Sequence, residues 1–232
     1  ALQSKENRAT AMMELIGTAI LVFTIQSSVG LGASLAPLAI GAILIAIIFA
    51  GGPVSGAHYN PAVSLAITLR GALSSREMVT LYWLPQIVGG ILGGYLGTVA
   101  TGSSSGGVQL GGDFGLVQAL VAEVIFTFIL CFVVLTVATN SKVGNNHYYG
   151  LAIGLVVASG AITVGPISGG AFNPAVVIGL GISNISYALE VIGSNLLGGA
   201  IAAGCFYVVV PEEFEIAPTT EPVATNEATP LA

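Results

Sequence analysis

Charge is scarce in this sequence. Only 7% of its 232 residues are Asp, Glu, Lys or Arg, where a soluble domain carries roughly 25%. So few charges cannot cover the surface of a soluble chain of this length, so lipid must be part of the solvent. Histidine and cysteine are scarce too, with two of each. No group of them has metal-ligand spacing, so neither a metal nor a cofactor is expected. Cys131 and Cys205 both lie in long apolar runs and read as buried packing residues. No Ser-His-Asp, Cys-His or paired-carboxylate set can be assembled into a shared site, which argues against an enzyme. The net charge is -6, but Glu212, Glu213, Glu215, Glu221 and Glu227 crowd the last 22 residues. The acidity describes a tail, and no nucleic-acid partner is expected.

What the chain has is apolar residues, 54% of the total, and 32 glycines. A membrane span takes about 20 helical residues to cross a core roughly 30 Å thick. Six apolar runs reach that length, near 11–33, 36–53, 78–100, 115–139, 148–166 and 187–210. All six are expected to be helices; the alternative in hydrocarbon is a closed barrel, whose strands alternate apolar and polar residues, and Val121 to Ala138 shows no such alternation. The glycines suit helices packed closely through small residues. Two shorter apolar stretches begin at Pro61 and Pro174. Each follows a polar, Gly-containing turn ending in Asn, and Asn then Pro is a favoured helix start. They read as half-helices that dip into the membrane and stop.

The chain also repeats itself. Glu14-x-Ile16-x-Thr18-x-Ile20-Leu21-x-Phe23 matches Glu123-x-Ile125-x-Thr127-x-Ile129-Leu130-x-Phe132, and Gly89-Gly90 matches Gly198-Gly199 at the same offset. The Asn-Pro-Ala-Val segments at 60–63 and 173–176 match with a small insertion. Each half holds three spans and one half-helix, and an odd number of spans inverts the second half relative to the first. The fold expected is therefore an all-α membrane protein. It has six transmembrane helices and two re-entrant half-helices in an inverted 3+3 repeat. The expected organisation is a cytoplasmic N-terminal segment (1–10), a channel domain (11–210) and a disordered acidic cytoplasmic tail (211–232). Within the domain, repeat one runs from about 11 to 105 and repeat two from about 114 to 210. Lys5, Arg8, Arg70, Arg76 and Lys142 all fall on one side of such a topology, which places both termini in the cytoplasm. Asn184-Ile185-Ser186 is formally a glycosylation sequon on the outer side, set almost against the last span.

Inversion brings the two half-helix starts together near the midplane. Each carries free backbone N–H groups and a partial positive charge. Asn60 and Asn173 cap them and can aim side-chain NH₂ groups at a passing oxygen.

At this point the chain resembles the aquaporin, or major intrinsic protein, family. The resemblance covers about Glu14 to Val210. It rests on Ser-Gly-Ala-His-Tyr-Asn-Pro-Ala-Val (55–63), Ser-Gly-Gly-Ala-Phe-Asn-Pro-Ala-Val (168–176), Glu14, Glu123 and Gln86-Ile87-Val88-Gly89-Gly90. It implies a right-handed bundle with one pore per subunit in the lipid bilayer, usually a homotetramer, passing water or small neutral solutes. It implies that Asn60, Pro61, Ala62, Asn173, Pro174 and Ala175 form the pore motifs. Their paired helix ends would disfavour cations, the barrier described for aquaporin-type pores. A membrane-embedded carboxylate is a functional candidate by default. The resemblance gives Glu14 and Glu123 a supporting role, bonded to the backbone of the pore loops. His58 and Gln86 also match family positions and read as pore support.

The sequence departs from the family at the outer constriction. An arginine usually follows the second Asn-Pro-Ala; here that position is Val176. The other three filter positions fall at Ile40, Ala161 and Gly170. A filter of these four is wide, apolar and uncharged, and admits solutes larger than water. The function expected is a passive channel for water or small uncharged solutes. Other readings stay open: a channel for glycerol, urea, hydrogen peroxide, ammonia or carbon dioxide with little water selectivity, an ion-coupled carrier, and a closed-pore structural protein.

Overall fold

The computed structural model describes residues 2–143 and 146–215. Its elements are helical: α1 (Leu2–Gly30), α2 (Ala36–Ser55), α3 (Pro61–Leu69), α4 (Ser75–Glu77), a π-helical run (Met78–Trp83), α5 (Leu84–Thr101), α6 (Leu116–Thr139), α7 (Tyr149–Thr163), α8 (Gly165–Ser168), α9 (Pro174–Gly179), α10 (Ile185–Val209) and α11 (Glu212–Glu215). Among the described residues, five helical stretches are long and apolar enough to cross a membrane: Ser4–Gly30, Ala36–Ser55, Ser75–Thr101, Leu116–Thr139 and Ile185–Val209. Many large apolar side chains, among them Leu92, Val121, Leu155 and Leu197, lie exposed on the outer surface, as lipid-facing residues must.

The fifth expected span differs from its reading. The run from 148 to 166 splits into α7, with 15 residues, and the short α8. Alone, α7 is about 22 Å long, short of the hydrocarbon thickness. The split falls at Val164-Gly165-Pro166, where Val164 leaves the helical region at φ -123. Proline has no N–H to continue the ladder and fits instead in the first turn of a new helix. Its counterpart, Pro53, lies inside α2 without breaking it.

Helices meet where they lack side chains. A Cβ on Gly89 of α5 would sit 2.3 Å from the Leu15 carbonyl oxygen of α1, and one on Gly198 of α10 would sit 2.6 Å from that of Val124 in α6. The same pair of contacts thus recurs in each half. Across the halves, α2 meets α7, where a Cβ on Gly41 would lie 2.6 Å from that of Ala158. Cys131 is fully buried, as expected, but Cys205 is only partly so, because it lies on α10 away from the core.

The first residues of the expected tail are ordered. Glu212–Glu215 form a turn of helix, and Glu213 is buried with 2% exposure. It pairs with Arg70 at the end of α3 and accepts a bond from the Ser141 backbone N–H at 2.7 Å. Arg70 also donates to the Thr139 carbonyl at 2.7 Å. A neighbouring pair, Lys142 with Glu212, lies at the exposed rim. Burial pushes the Glu213 carboxyl up, but hydrogen bonds from Ser141 and the Arg70 charge outweigh that and hold it below the ordinary carboxylate range. These contacts hold Glu212–Glu215 against the end of the bundle. The remainder of the expected tail, with Glu221 and Glu227, lies outside the described residues.

Candidate functional site

The two half-helices start where their sequence says they should. Pro61 and Pro174 are the first helical residues, and Asn60 and Asn173 are the caps, in extended backbone. Each Asn side-chain oxygen accepts from its own helix, from Ala62 N and Ala175 N respectively, at 2.9 Å. Each side-chain NH₂ then crosses to the other half. Asn60 donates to the Phe172 carbonyl at 2.9 Å, and Asn173 donates to the Tyr59 carbonyl at 2.9 Å. One hydrogen of each amide therefore ties the two loops together, and the other remains for the cavity that both residues line.

The loops before the caps are held in left-handed backbone. Gly56, Ala57 and Tyr59 have positive φ in the first half, and Gly169, Gly170 and Phe172 in the second. Non-glycine residues adopt this region at a cost and mark functional sites. In this conformation successive N–H groups converge on one anion-sized acceptor. That acceptor is Glu14 in one half and Glu123 in the other, both fully buried. Glu14 accepts from His58 N (3.0 Å), Tyr59 N (2.7 Å), Ser55 Oγ (2.6 Å) and Gln86 Nε2 (2.8 Å). Glu123 accepts from Ala171 N (3.0 Å), Phe172 N (2.9 Å), Ser168 Oγ (2.7 Å) and Asn195 Nδ2 (2.7 Å). Each carboxylate thus fastens a loop that the chain could not otherwise hold in the membrane.

Ala62 and Ala175 are completely buried. They sit against glycines of the opposite half: a Cβ on Gly199 would lie 2.7 Å from the Ala62 carbonyl oxygen, and one on Gly90 2.6 Å from that of Ala175. Small side chains here let α5 and α10 close on the half-helices. Tyr59 fills the space left by Gly17 and Gly51 and donates to the Ile47 carbonyl at 3.0 Å.

Between the halves lies a cavity of about 1070 Å³. Thr139, Asn140 and His147 line one end, Ser105, Gly107 and Gln109 the other, with Asn60 and Asn173 between. No Lys, Arg, Asp or Glu lines it among the described residues. Ile40, Ala161, Gly170 and Val176, the four expected filter positions, all line this cavity, as does His58. Gln86 does not; it is buried behind the loop, bonded to Glu14 and to Ser64 Oγ at 3.0 Å.

The sequence reading missed several supports. Asn195 plays in the second half the part that Gln86 plays in the first, and lies at the offset that already relates Glu14 to Glu123. Ser55 and Ser168 bond the carboxylates, and Tyr82 and Tyr187 donate to their carbonyls at 2.9 and 2.7 Å. The constant offset pointed to Asn195; nothing in the sequence pointed to the tyrosines. The sequon residue Asn184 caps α10, accepting from Tyr187 N at 3.2 Å. No cluster able to hold a metal ion occurs among the described residues.

Comparison with known proteins agrees with this geometry. Residues 2–207 match the family described as major intrinsic protein. The chain is 34% identical over 176 residues to "Aquaporin-8" of Mus musculus, covering 71% of this chain and 67% of that protein. It is 32% identical over 235 residues to "Probable aquaporin TIP3-2" of Oryza sativa subsp. japonica, covering 94% and 88%. Among solved structures, the aquaglyceroporin from Plasmodium falciparum superposes with a TM-score of 0.76 at 21% identity, over 90% of this chain and all of that one. That likeness shows the fold. With the family match over nearly its whole length, this chain belongs to the major intrinsic protein family and is an integral membrane protein that crosses the bilayer several times.

Proposed function

We propose that this protein is a passive transmembrane channel for water and small uncharged solutes, with a wide and apolar outer filter. The observation that carries the reading is the cavity itself. It is lined from one end of the bundle to the other, passes both Asn caps, and carries no Lys, Arg, Asp or Glu among its described lining residues. A carrier coupled to ions needs charged groups inside the membrane to bind them. Here the two embedded carboxylates are each occupied by four donors of their own half and lie away from the lumen. Relatives named as aquaporins support the same class.

In this reading Asn60 and Asn173 orient the permeant through the amide hydrogens left over from the bonds between loops. Ile40, Ala161, Gly170 and Val176 form the outer filter. Val176 replaces a cation with a small branched hydrocarbon, so the filter neither donates to the permeant nor repels cations. That favours passage of solutes larger than water. Both termini lie in the cytoplasm, where the five basic residues gather, and the working unit is a homotetramer with one pore per subunit.

The test is stopped-flow light scattering of proteoliposomes shocked with glycerol. Rapid shrinkage followed by rapid re-swelling is the expected trace. Val176→Trp should lower both rates at least tenfold. A variant that conducts as well as the wild type would remove Val176 from the filter, and vesicles no more permeable than empty lipid would remove the channel.

A further inference from the structure

The first half contains a hydrogen-bond chain that the second half lacks. It runs from buried Glu14 through Gln86 and Ser64 to the His58 ring. Its polarity can be worked out from one end. Glu14 is an acceptor, so Gln86 must turn its NH₂ toward it, at 2.8 Å. The second hydrogen of that amide goes to Ser64 Oγ at 3.0 Å. Gln86 Oε1 is left buried without a partner among the described residues, the expected residue of an amide locked by its other end.

Ser64 is fully buried, and its hydroxyl has one hydrogen and two lone pairs. One lone pair receives Gln86. Two contacts remain, His58 Nδ1 at 3.1 Å and the Asn60 carbonyl at 3.2 Å. A carbonyl only accepts. If the hydroxyl donates to Nδ1, the Asn60 contact is no bond and a lone pair stands idle. If it donates to Asn60, the other lone pair receives Nδ1–H and all three contacts are bonds. Buried polar groups favour the arrangement that satisfies them all.

We propose that Ser64, oriented by Gln86 and Glu14, fixes the proton of His58 on Nδ1, so that an unprotonated Nε2 faces the cavity as a hydrogen-bond acceptor for the N–H groups of passing solutes. His58 lines the cavity, and its Nε2 has no partner among the described residues. The ring is clamped by stacking on Tyr82, with centroids 4.2 Å apart, and Tyr82 is itself bonded to the Ser55 carbonyl. A free neutral imidazole in water carries its proton mainly on the other nitrogen, so the bond to Ser64 reverses the default. The Asn60 and Asn173 amides offer hydrogens at the midplane, and His58 offers a lone pair nearby. A small neutral amide such as urea presents a carbonyl to the first and an N–H to the second. Water, which donates and accepts equally, is indifferent to the tautomer. Ser64 is thus a positioning residue acting through His58. Its counterparts in the second half are Val177, with Ala171 in place of His58, so that half cannot build the device.

This inference rests on the channel reading, and the experiment separates the two. The chain has two histidines, so His147→Gln leaves His58 as the sole imidazole. In ¹⁵N-histidine-labelled proteoliposomes held above the imidazole range, solid-state NMR should show a protonated Nδ1 and a bare Nε2. Ser64→Ala should move the proton to Nε2, and Ser64→Thr should return it. In the otherwise wild-type chain, Ser64→Ala should lower urea permeability several-fold while osmotic water permeability stays within twofold. A wild-type spectrum with the proton on Nε2 would overturn the assignment, whatever the flux. The expected spectrum, with equal urea flux in Ser64→Ala and wild type, would overturn the acceptor role. Vesicles that pass neither water nor urea would overturn the channel reading while leaving the tautomer in place.

Discussion

The two halves of this molecule agree where the chain must be held and disagree where it meets something else. Glu14 and Glu123 each take two backbone N–H groups, one serine hydroxyl and one side-chain amide, in the same order along the loop. Behind them Gly90 and Gly199 make matching approaches to the opposite half-helix. Away from this frame the halves part company. The first half faces the cavity with His58, backed by Ser64; the second has Ala171 and Val177 at those places. The first half-helix runs nine residues and ends at Arg70, which is clasped by Glu213; the second runs six and ends at Leu180. The shared parts satisfy backbone groups that have no water to turn to, so both halves need them. The differing parts lie on the cavity wall or at the rim of the bundle, where no buried backbone group requires the two halves to match.

The largest effect expected tests that shared frame. Replacing either carboxylate (Glu14→Ala or Glu123→Ala) strands four donors, each an unsatisfied buried group worth about 1–3 kcal/mol. Thermal unfolding in detergent should show a loss of several kcal/mol for each variant, with the two alike. A large drop in one half only would break the equivalence.

Next come the glycine contacts. Gly90→Ala and Gly199→Ala each drive a methyl to within 2.6–2.7 Å of a carbonyl oxygen. Overpacking of this kind costs about 1–3 kcal/mol. The same unfolding assay should rank both below the carboxylate variants and close to one another.

The proposed filter is probed by Val176→Arg, which adds bulk and charge where Val176 lines the cavity. Glycerol re-swelling should slow by roughly tenfold and water shrinkage by less. Equal slowing of both would show that Val176 sets the bore without discriminating between solutes.

The smallest effects lie at the clasp between Arg70 and Glu213. A carboxyl held below its ordinary range stabilises the folded state above that range and loses the contribution as pH falls through its folded value. For Glu213, held low despite burial, the contribution is therefore complete at neutral pH and fades only under acid conditions. Limited proteolysis after Pro211 should accelerate below the ordinary carboxylate range in the wild type. In Glu213→Gln it should already be fast and independent of pH there. Lys142→Ala removes an exposed pair and should change neither rate.

Much of the site was legible in advance because the sequence repeats. A fixed offset joins Glu14 to Glu123, and the Asn-Pro-Ala pairs name the half-helix starts without any coordinates. The same offset leads on to Asn195, whose role was missed because an Asn in an apolar helix gives no signal without its partner. Tyr82 and Tyr187 were invisible for a different reason: their hydroxyls reach carbonyls in loops distant along the chain.

Sequence alone determined that this chain lives in lipid and folds as inverted halves of helices and half-helices. Hydrocarbon tolerates only helices or closed barrels, and these runs do not alternate. Only the tertiary structure decided how the donors are shared out. Each Asn amide crosses to the other half, each carboxylate fills with four bonds, and the His58 ring turns its Nδ1 to Ser64. It also decided that equivalent prolines act differently, Pro53 continuing a helix and Pro166 starting one. The physical reason is the same in each case. Hydrogen bonds are satisfied by whatever lies within 3 Å in space, and the residues that meet here are up to 114 positions apart in the chain.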